Sequence, residues 1–286
     1  MNVLIIGKDS YIGNHIDEWL RAKGWNVNQL DVLTDEWKSY DYSKYDAVVH
    51  VAGIVHKPNC KDWSLYKSVN ADMPISIASM AKKQGRTKSY VYFSTMAVYG
   101  LEKRLRPTLI YKNTPLFPIS MYGKSKLMAE EGLFKLQDES FNIICVRPPS
   151  VYGKGCKGNY ISGYTKFVKS LPFFPVAFLH VKQSVLYIDN LCEFIYLVLC
   201  NNSQGVYCPQ DPCSVNAVNI LDAIADGIKV KRHHSRLLGI GIHLLGFLPI
   251  VKKAYGGIEY STELSDLFDG KYQMIPFREG IRRTLA

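Results

Sequence analysis

The chain has 286 residues, 47% hydrophobic and 21% charged, with a formal net charge of +10 at pH 7. This length and composition suit one large or two modest globular domains and exclude a disordered chain. The lysines and arginines are spread along the whole sequence without a nucleic-acid motif, so the positive charge points to anionic small molecules drawn into a cleft, with no nucleic-acid partner expected.

Asn2 to Ile6 is a short continuous apolar run that ends in Gly7, the pattern of a parallel strand buried on both faces. It has no basic leader and is too short for a signal peptide, so the expected location is the cytoplasm. A turn, Gly7-Lys8-Asp9-Ser10-Tyr11-Ile12-Gly13, leads into a helix with Ile12, Ile16, Trp19 and Leu20 on one face. Gly7 allows a tight exit from the strand and Gly13 a close approach of helix and strand, leaving N–H groups at Ser10, Tyr11 and Ile12 to receive a pyrophosphate. Ser10 stands where the dinucleotide fingerprint has its middle glycine. A second strand, Asn26 to Leu30, ends in Asp31, 18 residues past Gly13 and close to where an acid binds the adenosine ribose. An acid there favours NAD and disfavours NADP, and the competing reading of Asp31 is a solvated strand-end carboxylate.

Asp31 to Tyr45 shows no clear strand, so a short or irregular βα unit is expected. Ala47 to Val51 reads as a further buried strand, and Val51, Ala52 and Gly53 at its C-terminal end line the expected ligand crevice. His50 and His56 read more readily as structural residues than as catalytic ones. Asp72 is expected to cap a helix with Pro74 in its first turn and Met73, Ile77, Met80 and Ala81 on its apolar face. The next strand, Tyr90 to Phe93, leads into Ser94-Thr95, two hydroxyls at a strand end.

Tyr122 and Lys126 are spaced i, i+4 on a helix, so phenol and ammonium rise from one face. A cation beside a phenol favours the phenolate and draws its pKa toward the working range, where it can trade a proton with a sugar or alcohol hydroxyl. The competing reading is a solvated helix face.

After a strand from Ile143 to Val146 the chain becomes irregular, then forms a helix to about Ser170, a strand from Val185 to Ile188 and a helix from Asp189 to Leu199 with an apolar face of core residues. Leu237 to Val251 is apolar and too short to span a bilayer, so a buried helix is expected, with peripheral membrane contact as the alternative. Seven scattered cysteines, with no C-x-x-C and no zinc-finger spacing, indicate reduced thiols and no metal site.

Together the N-terminal glycine turn, Val48-Val49-His50-Val51-Ala52-Gly53, Ser94-Thr95-Met96-Ala97-Val98-Tyr99-Gly100, Tyr122-Gly-Lys-Ser-Lys126 and Val146-Arg147-Pro148-Pro149-Ser150-Val151-Tyr152-Gly153 resemble the extended short-chain dehydrogenase/reductase family, in its nucleotide-sugar epimerases, dehydratases and ketoreductases. The resemblance covers nearly the whole chain. It implies an α/β fold, a doubly wound parallel (Rossmann) sheet in residues 1–150, and a smaller C-terminal α/β substrate lobe in 151–286, interleaved with the sheet around 180–200. It places the catalytic hydroxyl on Thr95 and the acid/base on Tyr122, with Lys126 as the lysine that also holds the nicotinamide ribose. Further cofactor contacts are expected at Asn70 and Pro148. Substrate contacts are expected at Ser94, Ser150, Asn159, Lys182 and Gln183, of which Ser150 and Gln183 stand where the family has an asparagine and an arginine, and Lys182 can replace the missing charge.

Dehydratases of this kind carry Asp-Glu after the catalytic hydroxyl. Met96-Ala97 takes those places here and cannot move a proton, which argues against 4,6-dehydration. The expected activity is oxidation or reduction at C4 of a UDP-sugar, leaning to 4-ketoreduction of a UDP-4-keto-6-deoxy-N-acetylhexosamine in surface-polysaccharide synthesis, with UDP-glucose/UDP-galactose or UDP-N-acetylhexosamine 4-epimerisation as the alternative. A non-catalytic dinucleotide sensor is the reading of another class, and the Tyr/Lys pair argues against it. The resemblance also implies a homodimer built through the helix of the 70s and the Tyr122 helix.

Overall fold

The computed structural model describes residues 1–55, 62–156 and 160–286, with the backbone alone at Tyr160. Within them the chain divides into two compact units. The first takes Met1–Gly100, Pro115–Pro148 and Leu191–Cys208, and the second Leu101–Thr114, Pro149–Asn190 and Pro209–Ala286.

The first unit is a six-stranded parallel sheet. Its strands are β1 (Asn2–Ile6), β2 (Asn26–Leu30), β3 (Ala47–His50), β4 (Ser89–Phe93), β5 (Asn142–Val146) and β6 (Gly205–Tyr207). They lie in the order β6-β5-β4-β3-β1-β2. From β1 the chain moves outward to β2 and then crosses back to β3 on the other side, so the strand order reverses at β1 and β3. In an open parallel sheet such a reversal opens a crevice at the C-terminal strand ends.

Buried side chains cover both faces of the sheet. Leu4 and Ile6 of β1 join a core with Tyr90, Tyr92, Ile77, Ala81 and Leu133. Ile5 points the opposite way, toward α1 (Tyr11–Ala22), whose Ile16 and Leu20 are buried. No strand forms between Asp31 and Tyr45, where two short 3-10 turns run instead.

The helix of the 70s departs from the expected cap. Asp62 caps α2 (Trp63–Lys67), accepting from the Leu65 N–H at 3.1 Å. The chain stays helical through a π turn, Ser68–Asp72, into α3 (Met73–Lys83). Asp72 is itself helical, makes no cap bond and pairs with Lys67 at 2.6 Å. Pro74 has no N–H to give the Asn70 carbonyl four residues back, and that carbonyl accepts the Tyr92 hydroxyl at 2.6 Å instead.

The second unit contains three short parallel pairs: Ser150–Tyr152 with Val185–Tyr187, Phe173–Pro175 with His233–Ser235, and Leu109–Ile110 with Glu259–Tyr260. Asp211 ties the unit together, accepting from the Tyr152 hydroxyl at 2.8 Å, the Tyr187 N–H at 2.9 Å and the Asn190 amide at 2.8 Å. Residues 237–251 do not form one buried helix. They run through two short helices, Arg236–Leu244 and Pro249–Tyr255, and the turn between them; Leu237, Leu238, Ile240, Leu244, Leu245, Phe247 and Ile250 are exposed, while Val251 is buried. The break falls at Gly246 and Pro249, and the proline is well placed to open the second helix. Among the described residues no helix is long and apolar enough to cross a membrane, no group of three metal-ligating side chains exists, and no disulfide joins the six cysteines.

Candidate active site

At the reversal in strand order, the Val51 and Ala52 N–H groups both donate to the Ile6 carbonyl, at 3.0 and 2.9 Å. Gly7 makes this convergence possible. Its φ is +117°, and a Cβ there would sit 2.9 Å from the Ala52 nitrogen. Ser10 caps α1, accepting from the Gly13 N–H at 3.2 Å while its hydroxyl donates to the Gly7 carbonyl at 2.7 Å. A Cβ on Gly13 would sit 2.5 Å from that hydroxyl. The serine in place of a glycine therefore knits the turn at the start of α1. Asp31, at the end of β2, is half-buried and turns one carboxylate oxygen onto the Leu33 N–H at 2.8 Å. Its other oxygen takes no donor among the described residues. Pro148 is half-buried just past β5.

Thr95 follows β4, in extended conformation at the head of a 3-10 turn (Met96–Tyr99). Its hydroxyl oxygen accepts from the Ala97 N–H at 3.1 Å, which leaves the hydroxyl proton to donate elsewhere. Tyr122 lies in the first turn of α4 (Met121–Phe134), capped by Ser120, with its phenol close enough to the Thr95 hydroxyl to feel it electrostatically. Gly123 lets the two meet. The helix start lies so close to the 3-10 turn that a Cβ at 123 would sit 2.7 Å from the Ala97 carbonyl oxygen.

Burial drives the Tyr122 pKa upward, and the Thr95 hydroxyl opposes the rise. The i, i+4 spacing predicts the opposite shift, with the ammonium of Lys126 drawing the phenol down. Instead the buried Lys126 ammonium donates to the Phe93 carbonyl at 2.7 Å and sits 4.6 Å above the Tyr92 ring. Burial brings its own pKa down to about 7, against the pull of the Glu130 carboxylate, so its charge is only partly available at neutral pH.

Lys126 nonetheless borders the strand-end crevice, since a Cβ on Gly53 would lie 3.1 Å from its nitrogen. Asn70, expected to touch the cofactor, is a clamp. Its side-chain oxygen accepts from the Ile54 N–H at 2.8 Å, and its amide donates to the Ile54 carbonyl at 3.0 Å and to Ser125 at 3.1 Å. Ser125 in turn donates to the Tyr122 carbonyl at 2.9 Å, so the clamp fixes the segment after Gly53 relative to α4.

A buried ion pair beneath the hydroxyls has no signature in the sequence. Glu130 accepts from Arg147 at 3.0 and 2.5 Å, and Arg147 reaches the Tyr99 hydroxyl at 3.0 Å. Ser94, expected to contact substrate, is buried and donates to Glu130. Its hydroxyl is engaged by that carboxylate, while Thr95 is half-buried and keeps a hydroxyl proton to donate. His50 is structural: fully buried, hydrogen-bonded at 2.7 Å to Tyr90 and held neutral with a pKa of about 3, chiefly by burial. His56 and Asn159 lie outside the described residues.

Ser150, Lys182 and Gln183 belong to the second unit. Ser150 and Lys182 are exposed, while Gln183 is buried and its backbone bridges Val215. The cation that meets Gln183 is Lys103, which donates to its side-chain oxygen at 2.8 Å. That pairing spans 80 residues and could not be read from the sequence.

A strand reversal with a serine-capped helix start, a half-buried carboxylate at the end of β2, and a threonine and a tyrosine near a buried lysine suit a dinucleotide-dependent oxidoreductase. A family model described as the NAD dependent epimerase/dehydratase family matches residues 3–207, and the chain belongs to that family. It is an NAD(P)-dependent enzyme, with NAD the cofactor its family is described by. It is similar to an Escherichia coli O157:H7 N-acetyl-alpha-D-glucosaminyl-diphospho-ditrans,octacis-undecaprenol 4-epimerase, 27% identical over 250 residues, covering 80% of this chain and 73% of the relative. It is also similar to a Vibrio cholerae UDP-glucose 4-epimerase, 29% identical over 251 residues, covering 80% and 72%. The solved UDP-glucose 4-epimerase of Thermus thermophilus, in complex with NAD, shares the fold with a TM-score of 0.71 at 20% identity, covering 100% of this chain and 98% of that one.

Proposed function

We propose that the enzyme oxidises or reduces C4 of a UDP-sugar in the synthesis of surface-polysaccharide precursors. The observation that carries this reading is the Thr95–Tyr122 hydroxyl pair at the C-terminal strand edge, with the Lys126 ammonium beside Gly53. The names of the two curated relatives, both 4-epimerases acting on diphosphate-linked sugars, support the choice of C4.

Gly7, Ser10 to Gly13, Asp31 and Val51 to Gly53 hold the dinucleotide, which when bound takes up or supplies a hydride and, oxidised, brings a positive ring. Lys126 holds the nicotinamide ribose. The Ala97 N–H fixes the Thr95 oxygen so that its proton is free for hydrogen bonding to Tyr122 or to the sugar hydroxyl. Tyr122 takes the proton of that hydroxyl in the oxidative direction and returns it in the reductive one. Its raised pKa suits the acid role at neutral pH, and the base role requires added positive charge near the phenol. In the second unit Lys103, beside Gln183, is our candidate for the diphosphate contact that an arginine would otherwise make, with Lys182 and Ser150 as further contacts. A homodimer through α3 and α4 goes with this reading.

Two finer readings use these residues identically. The 4-epimerase names of the relatives favour epimerisation, and the Ser94–Gly100 and Arg147–Gly153 patterns favour 4-ketoreduction. Denaturing the purified protein and identifying released nucleotide, with parallel assays on UDP-galactose without added cofactor and on a UDP-4-keto-6-deoxy sugar with NADH, separates them. Retained NAD with UDP-glucose formation supports epimerisation, and NADH loss only with the keto-sugar supports reduction. Turnover of neither substrate overturns the C4 assignment.

A further inference from the structure

The helix Arg236–Leu244 is turned inside out relative to an ordinary surface helix. Its inner side rests on backbone: a Cβ on Gly239 would sit 2.0 Å from the Val176 carbonyl oxygen. Ile242 is the apolar side chain that the helix gives to the small core around Ala177, Val251 and Tyr255. Leu237, Ile240 and Leu244, at i, i+3 and i+7, face water, with exposures of 79%, 58% and 75%. Phe247 and Ile250, in the turn and at the start of the next helix, extend the apolar surface at 70% and 73%. A surface of this kind marks a place where something else docks.

The charge around it identifies the occupant. Between Asp226 and Glu259 the chain carries six Lys and Arg and no Asp or Glu. Lys229, Lys231, Arg236, Lys252 and Lys253 are exposed. A two-fold contact with a second copy would place this cationic surface against itself, and like charges would repel. Apolar side chains flanked by lysine and arginine are instead complementary to an anionic lipid interface, where the apolar face enters the acyl boundary and the cations meet phosphates.

We propose that the segment from Lys229 to Lys253 docks the enzyme on an anionic membrane surface. The docking spans nothing, since neither helix is long enough, and it does not rest on the C4 assignment. It would bring the enzyme to the interface where sugars carried on lipid diphosphates are found.

The test is flotation of the full-length protein with vesicles of phosphatidylglycerol and phosphatidylethanolamine, and with vesicles of phosphatidylcholine alone. We expect binding to the anionic vesicles only, weakened by salt. A protein with Leu237→Ser, Leu244→Ser and Phe247→Ser should lose at least about tenfold in vesicle affinity, with thermal unfolding unchanged because these side chains are exposed. A second protein with Lys252→Gln and Lys253→Gln keeps the apolar face and should lose most of the preference for phosphatidylglycerol. Failure of the wild type to float with anionic vesicles overturns the proposal. So does flotation of the triple variant at the wild-type level, or a wild-type dimer that the triple substitution converts to monomer without any vesicle binding.

Discussion

Gly123→Ala tests whether the contact between α4 and the Met96–Tyr99 turn sets the catalytic geometry. The added methyl would sit 2.7 Å from the Ala97 carbonyl oxygen and 3.0 Å from the Pro118 Cβ. Ordinary contact begins at 3.4 Å, so the helix start must retreat by about 0.7 Å from a backbone atom that cannot rotate away. Overpacking of this kind costs about 1–3 kcal/mol of stability. Tyr122 is the adjacent residue and the Thr95 hydroxyl accepts from the Ala97 N–H of the same turn, so the retreat changes the phenol–threonine separation directly. Misplacement of a reacting group by about 1 Å costs about 10²-fold in rate, and this shift predicts a kcat about 10- to 100-fold lower. Dinucleotide affinity should change by less than about threefold, because the α1 turn is untouched. Steady-state kinetics with the sugar nucleotide that is turned over, alongside cofactor titration and a denaturant melt, reads all three. A destabilised variant whose kcat stays within about twofold of wild type would refute the reasoning.

Other substitutions address the supports of the site. Glu130→Ala strands the Arg147 guanidinium in a buried place, and denaturant unfolding should show a loss of about 3–5 kcal/mol. Lys126→Met tests the buried ammonium through pH. The folded pKa of about 7 lies below the ordinary 10.5, so between these values the unfolded chain holds a proton that the folded one has released, and stability rises with pH. The penalty is fully present below about pH 7 and gone above the unfolded pKa. The stability of the cofactor-free Met variant relative to wild type should therefore be greatest near neutrality and decline toward alkaline pH, as read by thermal melts across that range. A difference independent of pH would remove the lysine from the account.

Much of the first unit was legible because a parallel strand buried on both faces must be a continuous apolar run. Asn2–Ile6, Ala47–His50, Ser89–Phe93 and Asn142–Val146 each show it within a residue or so of the observed bounds. Tyr122 and Lys126 were visible as a helical pair, but their electrostatic relation was not. Spacing fixes a shared face, whereas the pKa of each group is set chiefly by how deeply it is buried, which tertiary structure decides. The Asp72–Pro74 pattern suggested a helix start, and a chain already helical from Trp63 absorbed it in a π turn. Ser10 weakened the glycine fingerprint on paper and strengthens the turn in three dimensions. The Glu130–Arg147 and Lys103–Gln183 pairs join separate elements, so no local pattern reports them. The apolar run around Leu237 predicts burial, whereas hydrophobicity gives only the composition of a helix and leaves open which side meets water.

The most direct measurement is single-turnover hydride transfer in Tyr122→Phe, paired with binding of cofactor and sugar nucleotide to the same protein. The phenyl ring fills the same space and lacks only the hydroxyl that meets Thr95. We expect both ligands to bind as in wild type and transfer to slow by about 10²- to 10⁴-fold, the range for removing a positioned acid/base. Transfer within about tenfold of the wild-type rate, with both ligands bound, would contradict the assignment of proton movement to this residue.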